Sequence, residues 1–263
     1  MPVGSPRPKA LTSMPFDLMT LGLLVAAAFV AGFVDSIAGG GGLITLPALL
    51  IAGVAPVEAV ATNKLQSSFG TAMSSYSYWK AGLVDPKELR IAIIATAVGA
   101  ACGGYALRLI DPGFLQRSIP VLLIAIAMYF AFGPKAAEQD SKARLSPVGF
   151  AIGVAVPIGF YDGMFGPGTG SFFAVGFVTL AGFGLLKATA NTKILNFVSN
   201  IAGLLVFIVS GQVIYAIGLS MAVGQTLGAK VGAGAAITHG AKLIRPLIVV
   251  VSCAIALRLL MKG

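Results

Sequence analysis

The chain contains an approximate internal duplication, in which a Gly-Phe-x-Asp segment followed by a glycine-rich run occurs twice within apolar sequence. Residues 32–35 read GFVD and precede four glycines at 39–42, whereas residues 159–162 read GFYD and precede Gly-Pro-Gly at 166–168. Because glycine and proline interrupt helices, each copy predicts a helix that breaks at the same place. Duplicated apolar segments with such breaks are typical of secondary transporters, in which the breaks form a site near the bilayer midplane.

The same register extends through most of the chain. Ala-Thr-Asn-Lys-Leu at 61–65 matches Ala-Asn-Thr-Lys-Ile at 190–194, and the Gly-x-x-x-Gly motif at 99–103 matches a second one at 228–232. The two lysines and the two glycine motifs lie 129 residues apart, whereas the two aspartates of the Gly-Phe-x-Asp segments lie 127 apart. A single two-residue gap therefore aligns the two copies.

The composition excludes a water-soluble globular protein. Of all residues, 57% are hydrophobic and 10% are charged, and the mean hydropathy is +0.93. Too few polar side chains are present to cover a surface in contact with water. The chain must therefore bury its surface in lipid.

The lengths of the apolar stretches predict membrane-spanning helices, which take about 17–25 residues each. Seven stretches are long enough: about 17–34, 58–79, 90–108, 117–133, 189–209, 213–238 and 243–261. Three are expected to be too short to cross alone: about 43–55, 147–162 and 171–186. Since the apolar residues run continuously and do not alternate, helices are indicated rather than barrel strands. We therefore predict an all-α polytopic membrane protein.

The duplication predicts two inverted repeats of about five helical segments each, because an odd number of segments reverses the direction of the second copy. The extended polar run before Pro147 predicts a cytoplasmic linker. The first apolar stretch is interpreted as a retained helix, since no small-residue cleavage site and polar domain follow it. We divide the chain into an N-terminal tail (1–16), a first transmembrane repeat (17–133), the linker (134–146) and a second transmembrane repeat (147–263), with broken or re-entrant helices at the glycine-rich runs.

The distribution of Lys and Arg predicts the orientation, since cytoplasmic loops are enriched in both. Nine of these residues lie in four loops that we place in the cytoplasm: 80–90, 134–146, 183–189 and 239–246. Arg108 and Arg117 lie in loops on the other side, while Arg7 and Lys9 in the tail count against this orientation. The net charge of +9 therefore indicates contact with anionic headgroups and not with nucleic acid.

The glycine-rich runs predict a site for an anion. A helix that restarts after each break, at Leu43 and at Ser171, points free N–H groups and the positive end of its dipole at the break. The residues expected to contribute at the breaks are Gly40, Gly41, Gly168 and Thr169. The alternative is that the glycines only allow close helix packing, as the Gly-x-x-x-Gly motifs are expected to do. Because the glycine-rich run occurs twice, each time after an aspartate, we favour the interpretation that the glycines line a cavity.

Lys64 and Lys193 occupy equivalent positions in the two copies. A lysine deep within a membrane helix costs about 2.5–3.5 kcal/mol on insertion scales, so it is expected to face an aqueous path or an acidic partner. Amide side chains near them form a polar stripe that suits a small oxyanion: Asn63, Gln66, Asn191, Asn196 and Asn200. The alternative is that both lysines extend to the membrane interface, because each lies near the start of its helix.

Asp35 and Asp162 precede the two breaks, and several roles are open for them. They either pair with the lysines, hold water, accept N–H bonds at the breaks, or titrate as a proton relay. We therefore regard them as residues with a coupling or a structural role.

The other polar residues indicate no enzymatic chemistry. Lys230 has no counterpart in the first copy, and either adds positive potential to one mouth of the pathway or extends to the interface. His239, at a helix end, is predicted to be a surface residue. One histidine and two cysteines provide neither a catalytic triad nor a metal site, and no cofactor is indicated.

Four segments carry a resemblance to a known family. They read GFVDSIAGGGG at 32–42, ATNKLQ at 61–66, GFYDG at 159–163 and KLIRP at 242–246, and so extend over nearly the whole chain. With these segments the chain resembles the sulfite exporter TauE/SafE family, also called the toluene sulfonate uptake permease superfamily, and its YfcA-like branch in the bacterial inner membrane. The resemblance implies a multi-pass transporter of small sulfur-containing anions such as sulfite, sulfoacetate or other sulfonates, often by export.

The residues and the resemblance lead to one hypothesis. The chain is a secondary transporter and not an enzyme, with two inverted halves that enclose a midplane anion site and work by alternating access. Its partners are a small anionic substrate and the lipid bilayer, with a homodimer left open. An anion channel and a carrier of a different, carboxylate-type anion are the alternatives. No Walker-type nucleotide-binding run occurs in the sequence, so an ion gradient or the anion's own gradient would supply the energy.

Overall fold

A computed structural model describes residues 17–111, 113–114, 121 and 139–240. In these ranges the chain forms helices and no strands: α1 Leu18–Ala38, α2 Gly42–Ile51, α3 Pro56–Lys80, α4 Arg90–Leu107, α5 Pro147–Met164, α6 Thr169–Thr179, α7 Leu185–Val209 and α8 Tyr215–His239. The predicted all-α polytopic fold is confirmed. The tail, the segment 243–261 and nearly all of the segment 117–133 lie outside the described residues.

The helices differ in how well they match a membrane. Four of those described are long and apolar enough to cross: α1, α4, α5 and α7. The helices α3 and α8 have 25 residues each, or about 37 Å at 1.5 Å per residue, but carry more polar side chains. With 10 and 11 residues, α2 and α6 are too short to cross alone, as predicted for 43–55 and 171–186.

The prediction that the segment 147–162 is too short to cross was wrong, because α5 continues over 18 residues. The side chain of Ser146 accepts a hydrogen bond from the backbone N–H of Gly149 and caps the start of the helix. Further on, Pro157 lacks an N–H, and its ring would crowd the carbonyl four residues earlier in a regular α-helix. The chain forms a wider π-helical turn at Ala151–Ala155, which accommodates the proline without ending the helix.

Both predicted breaks are present. Between α1 and α2, Gly39 has a φ of 81°, and between α5 and α6, Gly166 and Gly168 have φ values of 93° and 79°. Side chains other than glycine rarely adopt this left-handed region, so glycine allows the chain to leave one helix and restart the next within a few residues. The new helices begin at Gly42 and Thr169, one and two residues before the predicted restarts.

Each helix pair between the copies has an equivalent pair in which the roles of the two copies are swapped. The first helix of each copy packs along the fourth helix of the other, which gives the pairs α1–α8 and α4–α5. In the same way, α3 packs on α8 and α7 packs on α4, while α3 and α7 contact each other. A two-fold relationship between the copies produces this pattern.

The two apolar clusters of the core show that α3 and α7 run in opposite directions. One cluster contains Leu65 from the first half of α3 and Phe207 from the end of α7. The other contains Tyr78 from the end of α3 and Leu185 from the start of α7. Because equivalent helices are antiparallel, the copies are inverted, as predicted.

Three of the four loops that we predicted to be cytoplasmic lie together. A cavity of about 190 Å³ is lined by Glu88, Ala143 and Phe183, one from each loop. The described end of the linker is also tied to the loop before α7, since the backbone N–H of Arg144 donates to the carbonyl of Leu180 at 2.9 Å. These loops therefore share one end of the molecule, as the predicted orientation requires.

The Gly-x-x-x-Gly motifs pack helices within the chain. A Cβ at Gly103 would lie 1.9 Å from the carbonyl oxygen of Phe160 on α5, and a Cβ at Gly228 would lie 1.9 Å from that of Phe29 on α1. At such distances only glycine fits, so these motifs set the closest approach in the pairs α4–α5 and α1–α8.

Leucine at either close-packed glycine will destabilise the fold. Gly103→Leu and Gly228→Leu force the paired helices apart, and overpacking of this kind costs about 1–3 kcal/mol or more. A matched control is Gly234→Leu on α8, where no atom lies within 4 Å of an added Cβ. Thermal unfolding in detergent should show lower midpoints for the first two variants, and equal midpoints for all three would contradict this packing.

Candidate functional site

Two ion pairs join the copies across the centre of the molecule. Lys64 on α3 lies 2.6 Å from Asp162 on α5, measured from Nζ to Oδ1. Lys193 on α7 lies 3.6 Å from Asp35 on α1, measured from Nζ to Oδ2. Each lysine therefore faces the aspartate of the other copy.

Neither lysine reaches the surface of the protein. Each is the ninth residue of its helix, about 12 Å from the helix start at 1.5 Å per residue. Both are 0% exposed. A charge at this depth is tolerated when a partner of opposite sign offsets the loss of hydration, and the aspartates provide it.

Asp162 has hydrogen-bond donors on both carboxylate oxygens. Besides Lys64, its Oδ1 accepts a hydrogen bond from the hydroxyl of Thr169 at 3.0 Å, and its Oδ2 accepts one from the hydroxyl of Ser199. These donors come from α3, α6 and α7, while Asp162 lies on α5. The carboxylate thus fixes four helices of both copies against one another.

Asp35 caps the first break. Its Oδ1 accepts a hydrogen bond from the backbone N–H of Gly41 at 3.1 Å, so the restarting helix α2 has one of its free donors satisfied by the end of α1. The ammonium of Lys193 donates to the backbone carbonyl of Asp35 rather than closely to its carboxylate. Of the roles left open for Asp35, this geometry shows pairing with a lysine and N–H acceptance at the break.

The two breaks contact each other. The hydroxyl of Ser171 donates to the carbonyl of Ala38 at 2.5 Å. A Cβ at Gly39 would lie 2.4 Å from the carbonyl carbon of Gly170, and one at Gly42 would lie 3.0 Å from the Cα of Pro167. The discontinuities of the two copies therefore meet backbone to backbone, beside both ion pairs.

Two of the four predicted backbone contributors are already engaged by the protein. The N–H of Gly41 donates to Asp35, and the N–H of Thr169 donates to the carbonyl of Gly166 at 3.2 Å. Gly40 and Gly168 are buried at the breaks, where their carbonyls accept hydrogen bonds within the first turn of the new helices.

Because two lysines face two aspartates, the site as folded is neutral.

The predicted amides are buried and form two groups. In the first, Asn63 Oδ1 accepts hydrogen bonds from Thr45 at 2.6 Å and from Gln66 at 2.8 Å. In the second, the amide of Asn200 donates to the carbonyl of Asn196 at 2.8 Å, one turn earlier on α7. The remaining amide, Asn191, donates to its own helix. Within the described part of the chain, Gln66 Oε1 has no partner.

The sequence pattern of the family described as sulfite exporter TauE/SafE matches residues 24–259, nearly the whole chain. The chain belongs to the sulfite exporter TauE/SafE family. It is therefore a multi-pass membrane transporter of the TauE/SafE type, and not an enzyme. The breaks, the ion pairs and the amides described above all lie within the matched range.

Several members with similar sequences are named as probable membrane transporters. The protein ORF9 of Sinorhizobium sp is 51% identical over 240 residues, which cover 91% of this chain and 92% of the relative. YfcA of Escherichia coli K12 is 46% identical over 92% of this chain and 90% of the relative. A transporter of Haemophilus influenzae is 42% identical over 91% and 94%. No solved structure matches the chain.

Further residues complete the site of this TauE/SafE protein. Ser199 follows Asn196 by three residues on the same face of α7, a spacing that places it in the polar stripe of that helix. Sequence reasoning did not assign two tyrosines to the site. Tyr161 lies within the second Gly-Phe-x-Asp segment, and its hydroxyl donates to the carbonyl of Pro167 at 2.6 Å. Tyr78 is fully buried and donates to the carbonyl of Ser36 at 2.9 Å. The last two contacts carry no sequence signal, because each acceptor is a backbone carbonyl.

Two other basic residues lie outside the site of this family member. His239 is exposed at the end of α8, which confirms its prediction as a surface residue. Lys230 is also exposed on α8. Of the alternatives for Lys230, this position favours extension toward the interface.

Proposed function

We propose that the chain is a secondary transporter that exports small sulfur-containing anions, such as sulfite, sulfoacetate or other sulfonates, across the bacterial inner membrane by alternating access. The observation that carries the proposal is that two fully buried lysines lie where the two helix breaks meet. An ammonium group in a low-dielectric setting, with hydroxyl and amide donors beside it, suits a small oxyanion.

In this proposal the anion binds by replacing a carboxylate as the partner of an ammonium. The site is neutral as folded, so the bound anion leaves the displaced carboxylate as one excess negative charge in the site. Lys64, Lys193 and Thr169 then supply the charge and a hydroxyl, and the amides of Asn63, Gln66, Asn191, Asn196 and Asn200 orient the oxygens of the anion. The backbone of Gly40, Gly41 and Gly168 gives the anion room to approach.

Alternation would consist of one repeat rocking against the other. We propose the domain organisation predicted above, with repeats 17–133 and 147–263, a cytoplasmic linker and the four basic loops inside the cell. At the breaks, the two repeats are joined by two ion pairs and by the backbone contact of the breaks. Exchange of these partners would let the site open to one side at a time. We do not extend the proposal to a homodimer, because both Gly-x-x-x-Gly motifs are occupied within the chain.

A binding screen of the purified protein tests this function. The anions are sulfite, sulfate, thiosulfate, sulfoacetate and their carboxylate analogues, with Lys64→Met and Lys193→Met in parallel and Lys230→Met as the exposed control. We expect each site variant to bind about ten- to a hundredfold more weakly, because a hydrogen bond to a charged group contributes about 1.5–3 kcal/mol. The control should bind like the parent.

The proposal fails if both site variants bind like the parent. Equal affinity for carboxylates and sulfonates would instead contradict the substrate class. In proteoliposomes, saturable uptake with counterflow is expected of a carrier, whereas large single-channel currents would indicate a channel.

A further inference from the structure

The two ion pairs are not equivalent, although the copies are. Asp162 lies 2.6 Å from its lysine, has a side chain 2% exposed, and accepts hydrogen bonds from two hydroxyl groups as well. Asp35 lies 3.6 Å from its lysine, beyond hydrogen-bond distance, and has a side chain 10% exposed. Its closest donor is the backbone N–H of Gly41, on the other carboxylate oxygen. The looser and more accessible of the two carboxylates is therefore Asp35.

This difference determines which pair an anion can open. At Lys64 an anion would have to displace a carboxylate held by three donors. At Lys193 the ammonium already donates to a backbone carbonyl, so its remaining N–H groups are free to reach an anion without breaking a short contact with a carboxylate. Binding therefore costs less at Lys193.

An anion at Lys193 leaves Asp35 as a second negative charge in the same buried place. Like charges at short distance and low dielectric disfavour ionisation, so the carboxyl group takes up a proton. The neutral group still accepts the N–H of Gly41 on Oδ1, and a proton on Oδ2 gives it a donor that faces the anion. We infer that Asp35 is the proton-coupling residue, that one proton binds to it with each anion, and that Asp162 is a fixed structural partner. This inference rests on the proposed function and names its coupling ion.

Few other ionisable groups face Asp35 from the elements packed against α1. The helices α2 and α6 carry no ionisable side chain. From α7 the facing group is Lys193, and from α3 it is the buried Tyr78, with Lys64 already paired. On α8, Lys230 and His239 are exposed on the surface. The proton is therefore assigned to Asp35.

The test measures anion affinity of the full-length protein in nanodiscs as a function of pH. The probe is ethanesulfonate, which stays ionised between about pH 5.5 and about pH 7.5 and so adds no titration of its own. Because the protonated form binds, we expect affinity to rise about tenfold for each unit that the pH falls, wherever free Asp35 is ionised. In weakly buffered solution, an indicator dye should report one proton taken up per anion bound.

Two variants separate the carboxylates. Asp35→Asn keeps an acceptor for the N–H of Gly41 and mimics the neutral carboxyl group. The anion affinity of this variant should therefore be independent of pH, and anion binding should neither release nor take up a proton. Asp162→Asn should keep the pH dependence of anion affinity that the parent shows, even if its affinity at any one pH is different. If the parent protein binds ethanesulfonate with an affinity that does not change with pH and without proton uptake, the inference is wrong and the proposed function is unaffected. A slope that persists in Asp35→Asn overturns the assignment, and a parent that binds none of the tested anions overturns the proposed function.

Discussion

Asp162→Leu will lower the free energy of unfolding by about 3–5 kcal/mol, among the largest effects expected of any single substitution in this chain. The change leaves the ammonium of Lys64 fully buried without a partner of opposite charge. It also removes the acceptor of the hydroxyl groups of Thr169 and Ser199. Denaturant unfolding in detergent, followed by far-UV circular dichroism, measures the loss.

The companion variants test the cause of this loss. Lys64→Met should be milder, since Asp162 keeps two hydroxyl donors when its lysine is removed. The double variant Lys64→Met/Asp162→Leu should be more stable than Asp162→Leu alone, because no charge is then left unpaired. Lys230→Met, at an exposed position of α8, should unfold like the parent. If the two single effects simply add in the double variant, the pair is not coupled and this account of the core is wrong.

Gly39→Ala will abolish transport and destabilise the protein. An alanine Cβ at this position would lie 2.4 Å from the carbonyl carbon of Gly170 and 2.5 Å from the nitrogen of Ser171. Neither backbone atom can move without separating the breaks. Overpacking costs about 1–3 kcal/mol, and the φ of 81° adds about 1–2 kcal/mol for a residue with a side chain. Anion uptake into proteoliposomes and the thermal midpoint are the measurements.

A matched glycine separates the two contributions. Gly53 has a φ of 88°, but no atom lies within 4 Å of an added Cβ. Gly53→Ala therefore bears only the cost of the left-handed backbone and should keep most of its transport. The difference between the two variants measures the contact between the breaks. Equal stability and equal transport in both would show that this contact does not matter.

Much of the architecture was predictable because it depends on local sequence. The apolar stretches and the positions of Gly39, Gly166 and Gly168 are visible in the chain, and they place the two helix restarts within one or two residues. The segment 147–162 was misjudged by its length, because the helix continues two residues further, to Met164. The apolar stretch read from the sequence therefore looked too short to cross, although the helix is long enough.

The site was predictable in its residue types and not in its contacts. Burial of Lys64 and Lys193 in a membrane helix requires partners, and Asp35 and Asp162 were the evident candidates. The sequence left open which lysine meets which aspartate. Their separations, 98 and 158 residues, exceed the range over which helical periodicity carries information. The anion site itself stays a prediction until binding is measured.

By itself, the sequence determined a helical membrane protein with two copies of one motif, two breaks, and two lysines and two aspartates within apolar sequence, because composition, glycine and helix length act locally. Only the tertiary structure decided that each lysine pairs with the aspartate of the other copy and that the breaks touch. It also decided that Asp162 is held closely while Asp35 is held loosely. The reason is physical: these features depend on distances between antiparallel helices, which are set by packing across the two copies and not by any one segment.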